Sequence, residues 1–88
     1  MVMTGNSRTR FSVQAECEPS TLSRVLELFT VRGVAYDTMS ARKTTDGFQW
    51  IELDCADVED HSALVVLNKI RQIITVRSAQ METTLLAS

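Results

Sequence analysis

Between residues 11 and 16, apolar and polar side chains alternate, with Phe11, Val13 and Ala15 on one face and Ser12, Gln14 and Glu16 on the other. This period of two predicts a half-buried strand at about residues 9–16. From Leu22 the spacing changes. Leu22, Val25, Leu26 and Phe29 fall at i, i+3, i+4 and i+7, one face of a helix predicted over residues 20–32. Pro19 cannot continue a central strand and suits the turn before the helix, and Ser20 is placed to cap it. Gly33, after Arg32, is free to take the left-handed conformation that ends a helix.

Beyond Gly33, Val34 and Tyr36 share a face, and so do Met39 and Ala41, but the two pairs differ by one register step. A bulge near residues 37–38 would make them one strand. Thr44-Thr45-Asp46-Gly47 reads as a hairpin turn, since Asp-Gly is the strongest short hairpin signal. A third strand follows over residues 48–55. Gln49, Ile51, Leu53 and Cys55 occupy one face, and Phe48, Trp50, Glu52 and Asp54 the other. With Ile51 and Leu53 on the covered side, Phe48 and Trp50 lie opposite. Together with Tyr36 they make that face a candidate partner interface.

Asp57 is the expected N-cap of a second helix, with Glu59 and Asp60 in its first turn and Lys69 and Arg71 near its end. Ala63, Val66, Leu67 and Ile70 form its apolar stripe. Ile73, Ile74 and Val76 mark a last strand over residues 72–82. Residues 1–8 show no sustained period and are expected to be a flexible arm. Residues 83–88, with Leu85 and Leu86, form a tail. The order is βαββαβ, an α+β fold of ferredoxin-like type over residues 9–82. Short crossovers imply a four-stranded antiparallel sheet with both helices on one face.

Eighty-eight residues make one domain, whose stability margin is small enough for docking or oligomerisation to matter. The formal charge is −2 and the isoelectric point about 5.2, with both signs scattered. No basic patch is present to neutralise phosphates, which argues against nucleic acid. No apolar run reaches the ~20 residues that span a bilayer, and no signal-peptide core is seen, so a cytoplasmic location is expected. Cys17 and Cys55 are expected as free thiols, because two cysteines make no disulfide framework and His61 alone cannot complete a zinc site with them.

Catalytic chemistry finds little footing. His61 sits at the start of a charged helix with no evident partner. Cys17 precedes a helix start, where thiols can be activated, so a thiol-dependent enzyme is a third and remote reading. Gly5, Gly33 and Gly47 are isolated, unlike a phosphate-cradling loop. Asp54, Asp57, Glu59 and Asp60 lack the spacing of a calcium loop. Neither a metal site nor a catalytic residue is expected in this chain.

The stretch Glu18-Pro19-Ser20-Thr21-Leu22-Ser23-Arg24-Val25, with Leu28-Phe29 and Arg32-Gly33, resembles the first loop and helix of the ACT domain. That domain is a ligand-binding regulatory module of amino-acid metabolism, with a loop often written Asp/Asn-x-Pro-Gly-x-Leu. More narrowly, Glu18, Leu22, Ser23, Arg24, Val25, Leu28, Phe29, Arg32 and Gly33 match the signature of the acetolactate (acetohydroxyacid) synthase small regulatory subunit family. Leu67-Asn68-Lys69-Ile70 is similar to that family's ending of the second helix. The resemblance implies a tentative effector site at Cys17, Glu18, Ser20, Thr21 and Leu22.

The departures carry information. Cys17 stands where the long, valine-sensitive subunits have an Asn, Ser20 where they have a Gly, and Ala35 where a later Asn falls. Losing an amide removes groups that could fix an amino acid, and a Cβ at position 20 crowds a loop where backbone must approach ligand. The chain therefore resembles the short, valine-insensitive type, whose small subunit activates and stabilises the catalytic chain. The resemblance implies no cofactor in this chain, with thiamine diphosphate, Mg²⁺ and FAD held by the large subunit. It also implies a homodimer, pairing through edges and helices, that docks on that large subunit in isoleucine, valine and leucine synthesis. The rival expectation is a free-standing ACT homodimer that senses a small amino-acid effector at its interface.

Overall fold

A computed structural model describes residues 7–85. Its elements are β1 (Ser7–Glu16), α1 (Pro19–Arg32), β2 (Thr38–Lys43), β3 (Phe48–Ala56), α2 (Asp60–Arg71) and β4 (Val76–Leu85). The four strands form one antiparallel sheet in the order β2-β3-β1-β4, the ferredoxin-like arrangement expected from the sequence. Alternation explains the two central strands. Phe11, Val13 and Ala15 of β1 and Ile51, Leu53 and Cys55 of β3 are fully buried. They pack in one core with Val25 and Phe29 of α1 and Ala63, Val66, Leu67 and Ile70 of α2. Both helices thus cover the same face.

The line of α1 that meets the sheet is Thr21, Val25 and Phe29, while Leu22 and Leu26 of the expected stripe lie half-buried at its margin. Glu18, not Ser20, is the N-cap of α1, and Pro19 takes the first helical position. Proline is pre-shaped for that position and has no N–H to lose there. Gly33 ends the helix at φ 72°, in the left-handed region. Its N–H donates to the Thr30 carbonyl at 3.1 Å, and that of Val34 to the Phe29 carbonyl at 2.9 Å.

Further element boundaries differ from the expectation. Residues 34–37 are not part of a bulged strand, and β2 starts at Thr38. Tyr36 turns towards the helices, its ring 5.9 Å from that of Phe29 and nearly perpendicular to it. The N-cap of α2 is Glu59 rather than Asp57. Asp57 instead adopts φ 53°, a conformation Asp tolerates better than most residues. Its Oδ1 accepts from the Ser7 N–H at 3.2 Å, and its own N–H donates to the Ser7 carbonyl at 3.1 Å. That pairing holds Ser7 in the sheet, so residues 7–8 of the expected arm belong to β1, and residues 1–6 lie outside the described residues.

The last strand is also shorter at its start. Residues 72–75 carry the chain from α2 back to the sheet, with the Gln72 and Ile73 N–H groups donating to the Lys69 and Ile70 carbonyls. Ile74 ends up 96% exposed. β4 runs on through Thr83, Thr84 and Leu85, residues assigned from sequence to a tail; Leu86 lies outside the described residues.

The uncovered face of the sheet is mostly polar. Arg10 forks onto Asp54, with Nε to Oδ1 at 2.9 Å and Nη2 to Oδ2 at 3.3 Å. Thr38 Oγ1 donates to Asp54 Oδ2 at 3.0 Å. The Arg10 hydrogen bond holds the Asp54 carboxyl below its ordinary range. A carboxyl so depressed stabilises the fold at neutral pH, and that contribution disappears as pH falls through its folded value. Arg10 is more than half exposed, so the effect is small.

Candidate functional site

The loop between β1 and α1 is held from both sides. The Cys17 N–H donates to the Gly47 carbonyl at 3.0 Å, tying the loop to the β2–β3 hairpin. The Glu16 N–H donates to the Thr75 carbonyl at 2.8 Å, tying it to the segment before β4. Gln49, only 6% exposed, points inward from β3 and donates Nε2 to the Glu16 and Glu18 carbonyls at 3.0 and 3.4 Å. Sequence reasoning missed its role. The available signal was a glutamine at an inward position of a strand otherwise facing the core with Ile51, Leu53 and Cys55, since a buried amide has to find partners.

Two shallow clefts flank the start of α1. One, of about 290 Å³, is lined by Cys17, Glu18, Pro19, Leu22, Ala41, Lys43 and Gln49. The other, of about 310 Å³, is lined by Ser20, Thr21, Arg24, Gln72, Ile73, Ile74 and Thr75. The five residues grouped from sequence are therefore split by the helix. Cys17, Glu18 and Leu22 share one cleft, while Ser20 and Thr21 lie at the other. Thr21 is 1% exposed, and its hydroxyl is bonded to that of Thr75 at 2.6 Å, so its role is to pin the helix start to the β4 approach.

The loop's backbone donors are largely used within the protein. The Cys17 N–H serves Gly47, the Glu18 N–H donates to the Glu16 carbonyl at 2.8 Å and the Thr21 N–H to the Glu18 carbonyl at 3.0 Å. Pro19 has none to give. A loop that grips the carboxylate of an amino acid needs such donors aimed outward. Here the first cleft offers Lys43, a thiol and apolar walls from Pro19, Leu22 and Ala41.

Of the expected interface residues, Phe48 and Trp50 share the uncovered face of the sheet, whereas Tyr36 does not join them. The Arg77 guanidinium lies over the Phe48 ring, 4.9 Å from its centre.

The two thiols differ. Burial pushes the Cys55 thiol up to about 11, while Cys17 is half-buried at the first cleft. At pH 8 an aromatic disulfide reagent is expected to modify one equivalent quickly, at Cys17. The second should react only at the rate of global unfolding. A Cys17→Ser variant that keeps the fast equivalent would contradict this. Above its ordinary value of 9.0 the Cys55 thiol ionises in the unfolded chain before the native one, so stability falls between about pH 9 and 11.

Among the described residues no group of His, Cys, Asp or Glu side chains could hold a metal ion, and no helix is long and apolar enough to cross a membrane. His61 is exposed.

The topology, the helix-side core and the tethered β1–α1 loop define a ferredoxin-like domain. Residues 3–88 match the family described as the ACT-like domain, and the chain belongs to that family. No curated protein matches the sequence. Among solved structures, the ACT domain of a GTP pyrophosphokinase from Chlorobium tepidum is similar at 11% identity, with a TM-score of 0.72 over 85% of this chain and 96% of that one. The regulatory subunit of aspartate kinase from Thermus thermophilus is similar at 15% identity, with a TM-score of 0.71 over 89% of this chain and 51% of that one. The C-terminal domain of the MgtC protein from Mycobacterium tuberculosis gives a TM-score of 0.73 at 8% identity, covering 100% of this chain and 98% of that one. At such identities these likenesses concern the fold. Family membership fits a regulatory role.

Proposed function

We propose that this chain is the regulatory small subunit of a cytoplasmic acetolactate synthase, without catalysis of its own, which docks on the thiamine-dependent large subunit and raises its activity in branched-chain amino-acid synthesis. The observation that carries this reading is where the signature residues fall. Val25 and Phe29 are buried and Gly33 is the left-handed cap, so any helix of this kind would need residues like them. Ser23, Arg24 and Arg32 also match, yet they are exposed and the core does not require them. Exposed residues that match a signature are explained by a partner rather than by folding. Thiamine diphosphate, Mg²⁺ and FAD belong to the large subunit in this reading.

The engaged amides of the β1–α1 loop support activation over sensing. A subunit can shift a partner only by its differential affinity for the active conformer, and no amino-acid ligand is needed for that. Reconstitution of an acetolactate synthase large subunit with and without this chain provides the test. Co-purification, turnover raised several-fold and little inhibition by valine are expected. Unchanged turnover without co-purification overturns the proposal. Tight calorimetric binding of one of the twenty amino acids by the chain alone would replace it with a free-standing sensor.

A further inference from the structure

The sheet face away from the helices is charge-polarised along the strands. Following the register from β2 to β4, one row holds Thr38, Asp54, Arg10 and Glu82, and the next Ser40, Glu52, Ser12 and Gln80. The third row holds Arg42, Trp50, Gln14 and Ser78, and beyond it lie Phe48 and Glu16. Arg77, at the irregularity where β4 shifts register against β1, reaches over Phe48. At one end Arg8, paired with Asp37 at 3.0 Å, and Arg10 stand among the carboxylates of Glu52, Asp54 and Glu82, so acids outnumber bases there. At the other, Arg42 and Arg77 flank two half-buried aromatic rings, with Glu16 the sole acid among these residues.

We propose that this face is where a second copy of the chain packs, sheet against sheet, about a two-fold axis lying in the plane of the face and perpendicular to the strands. That axis keeps each strand over its own equivalent and reverses its direction, so the basic aromatic end of one protomer covers the acidic end of the other. Arg77 then faces the partner protomer's Glu82 from the same strand. Arg42 comes to the acidic rows that hold Glu52 and Asp54, and Trp50 lies across the row of Ser12 and Glu52. The other in-plane axis, along the strands, would set the acidic ends against each other and the basic ends against each other. An isologous contact forms each pairing twice, so a modest complementarity is doubled. Aligned sheets pack about 10 Å apart with their strands within about 30°, a spacing that the rings of Phe48 and Trp50 fill.

The size of the face sets the strength. Four strands about 4.8 Å apart and nine residues long at ~3.4 Å each give roughly 600 Å². A pair of such faces sits near the low end of specific interfaces, about 1,200 Å² in total. The dimer is therefore expected to dissociate on dilution through the micromolar range.

Trp50 is the one tryptophan, so its emission reads the contact directly. Sedimentation and Trp50 emission should be followed together from about 1 to 200 μM, a range chosen to bracket that strength. A monomer–dimer transition with a matching blue shift is expected. Arg77→Glu and Glu82→Arg, each made alone and checked by circular dichroism, should weaken the dimer by about a hundredfold, because like charges then meet twice. The double variant Arg77→Glu/Glu82→Arg should restore it, which a folding defect would not.

A chain that stays monomeric at 200 μM overturns the proposal. So does a dimer indifferent to both reversals, which would place pairing at the edge strands or helices. A Trp50 shift that appears only when a catalytic partner is added would also overturn it and give the face to that partner. The dimer test needs no large subunit, and its outcome is independent of the proposed enzyme partnership.

Discussion

Phe29→Ala is expected to lower the unfolding free energy by about 3–5 kcal/mol, the range for removing a large aromatic from a core that cannot collapse around the gap. Phe29 is fully buried, and its ring meets two others edge-on: Phe11 at 4.9 Å and 84°, and Tyr36 at 5.9 Å and 86°. These contacts join α1, β1 and the loop before β2, so the cavity would open where three segments converge. A domain of this length has a total stability of about 4–13 kcal/mol. The variant should therefore lose roughly a quarter or more of its stability, and at the low end of that range it passes its midpoint at room temperature. Urea unfolding followed by far-UV circular dichroism measures this, and a loss under about 1.5 kcal/mol would show that the core repacks. Tyr36→Ala is the comparison. That residue is 37% exposed, and its ring should contribute only about 1–2 kcal/mol.

The sequence made the central strands and the helices legible because their burial is periodic. Phe11, Val13 and Ala15 against Ile51, Leu53 and Cys55 follow from alternation alone. The errors have other causes. Ile73 and Ile74 read as strand by composition, but four residues are needed to return from α2 to the sheet, and no local pattern records that distance. Counting along a strand gives Tyr36 a face, but β2 begins only at Thr38. Asp57 looks like a cap by residue type, and only the long-range pairing with Ser7 shows why it leaves the helix.

The candidate site was less legible for the same reason. The family resemblance groups Cys17, Glu18, Ser20, Thr21 and Leu22 as one effector loop, whereas the first turn of α1 points successive side chains into different clefts. Thr21 and Gln49 owe their roles to Thr75 and to the Glu16 and Glu18 carbonyls, partners 54, 33 and 31 residues away. Ser23, Arg24 and Arg32 are exposed, so the core does not demand them.

Gln49→Glu is expected to be the most damaging single-group change at the loop, costing about 3 kcal/mol or more at pH 7, because it buries an unpaired charge. The side chain is 6% exposed and faces two carbonyl oxygens. Glutamine presents N–H donors to both, whereas an ionised glutamate presents only acceptors, so charge and lone pairs oppose the loop. Gln49→Leu separates the two effects. It removes the donors without adding charge, and the Glu16 and Glu18 carbonyls still accept from the Glu18 and Thr21 N–H groups. Its cost should be only about 1 kcal/mol. The pH dependence distinguishes them further. The glutamate's folded-state pKa is raised above its unfolded value of about 4.3, so the Gln49→Glu penalty shrinks as pH falls from 7 towards 5, while Gln49→Leu keeps a pH-independent offset from the parent. If the β1–α1 loop forms part of the docking surface, both variants should lose activation of the large subunit, and the Gln49→Glu loss should recover partly at lower pH. Equal stability of parent and Gln49→Glu across pH 5–8 would mean that Gln49 does not hold the loop.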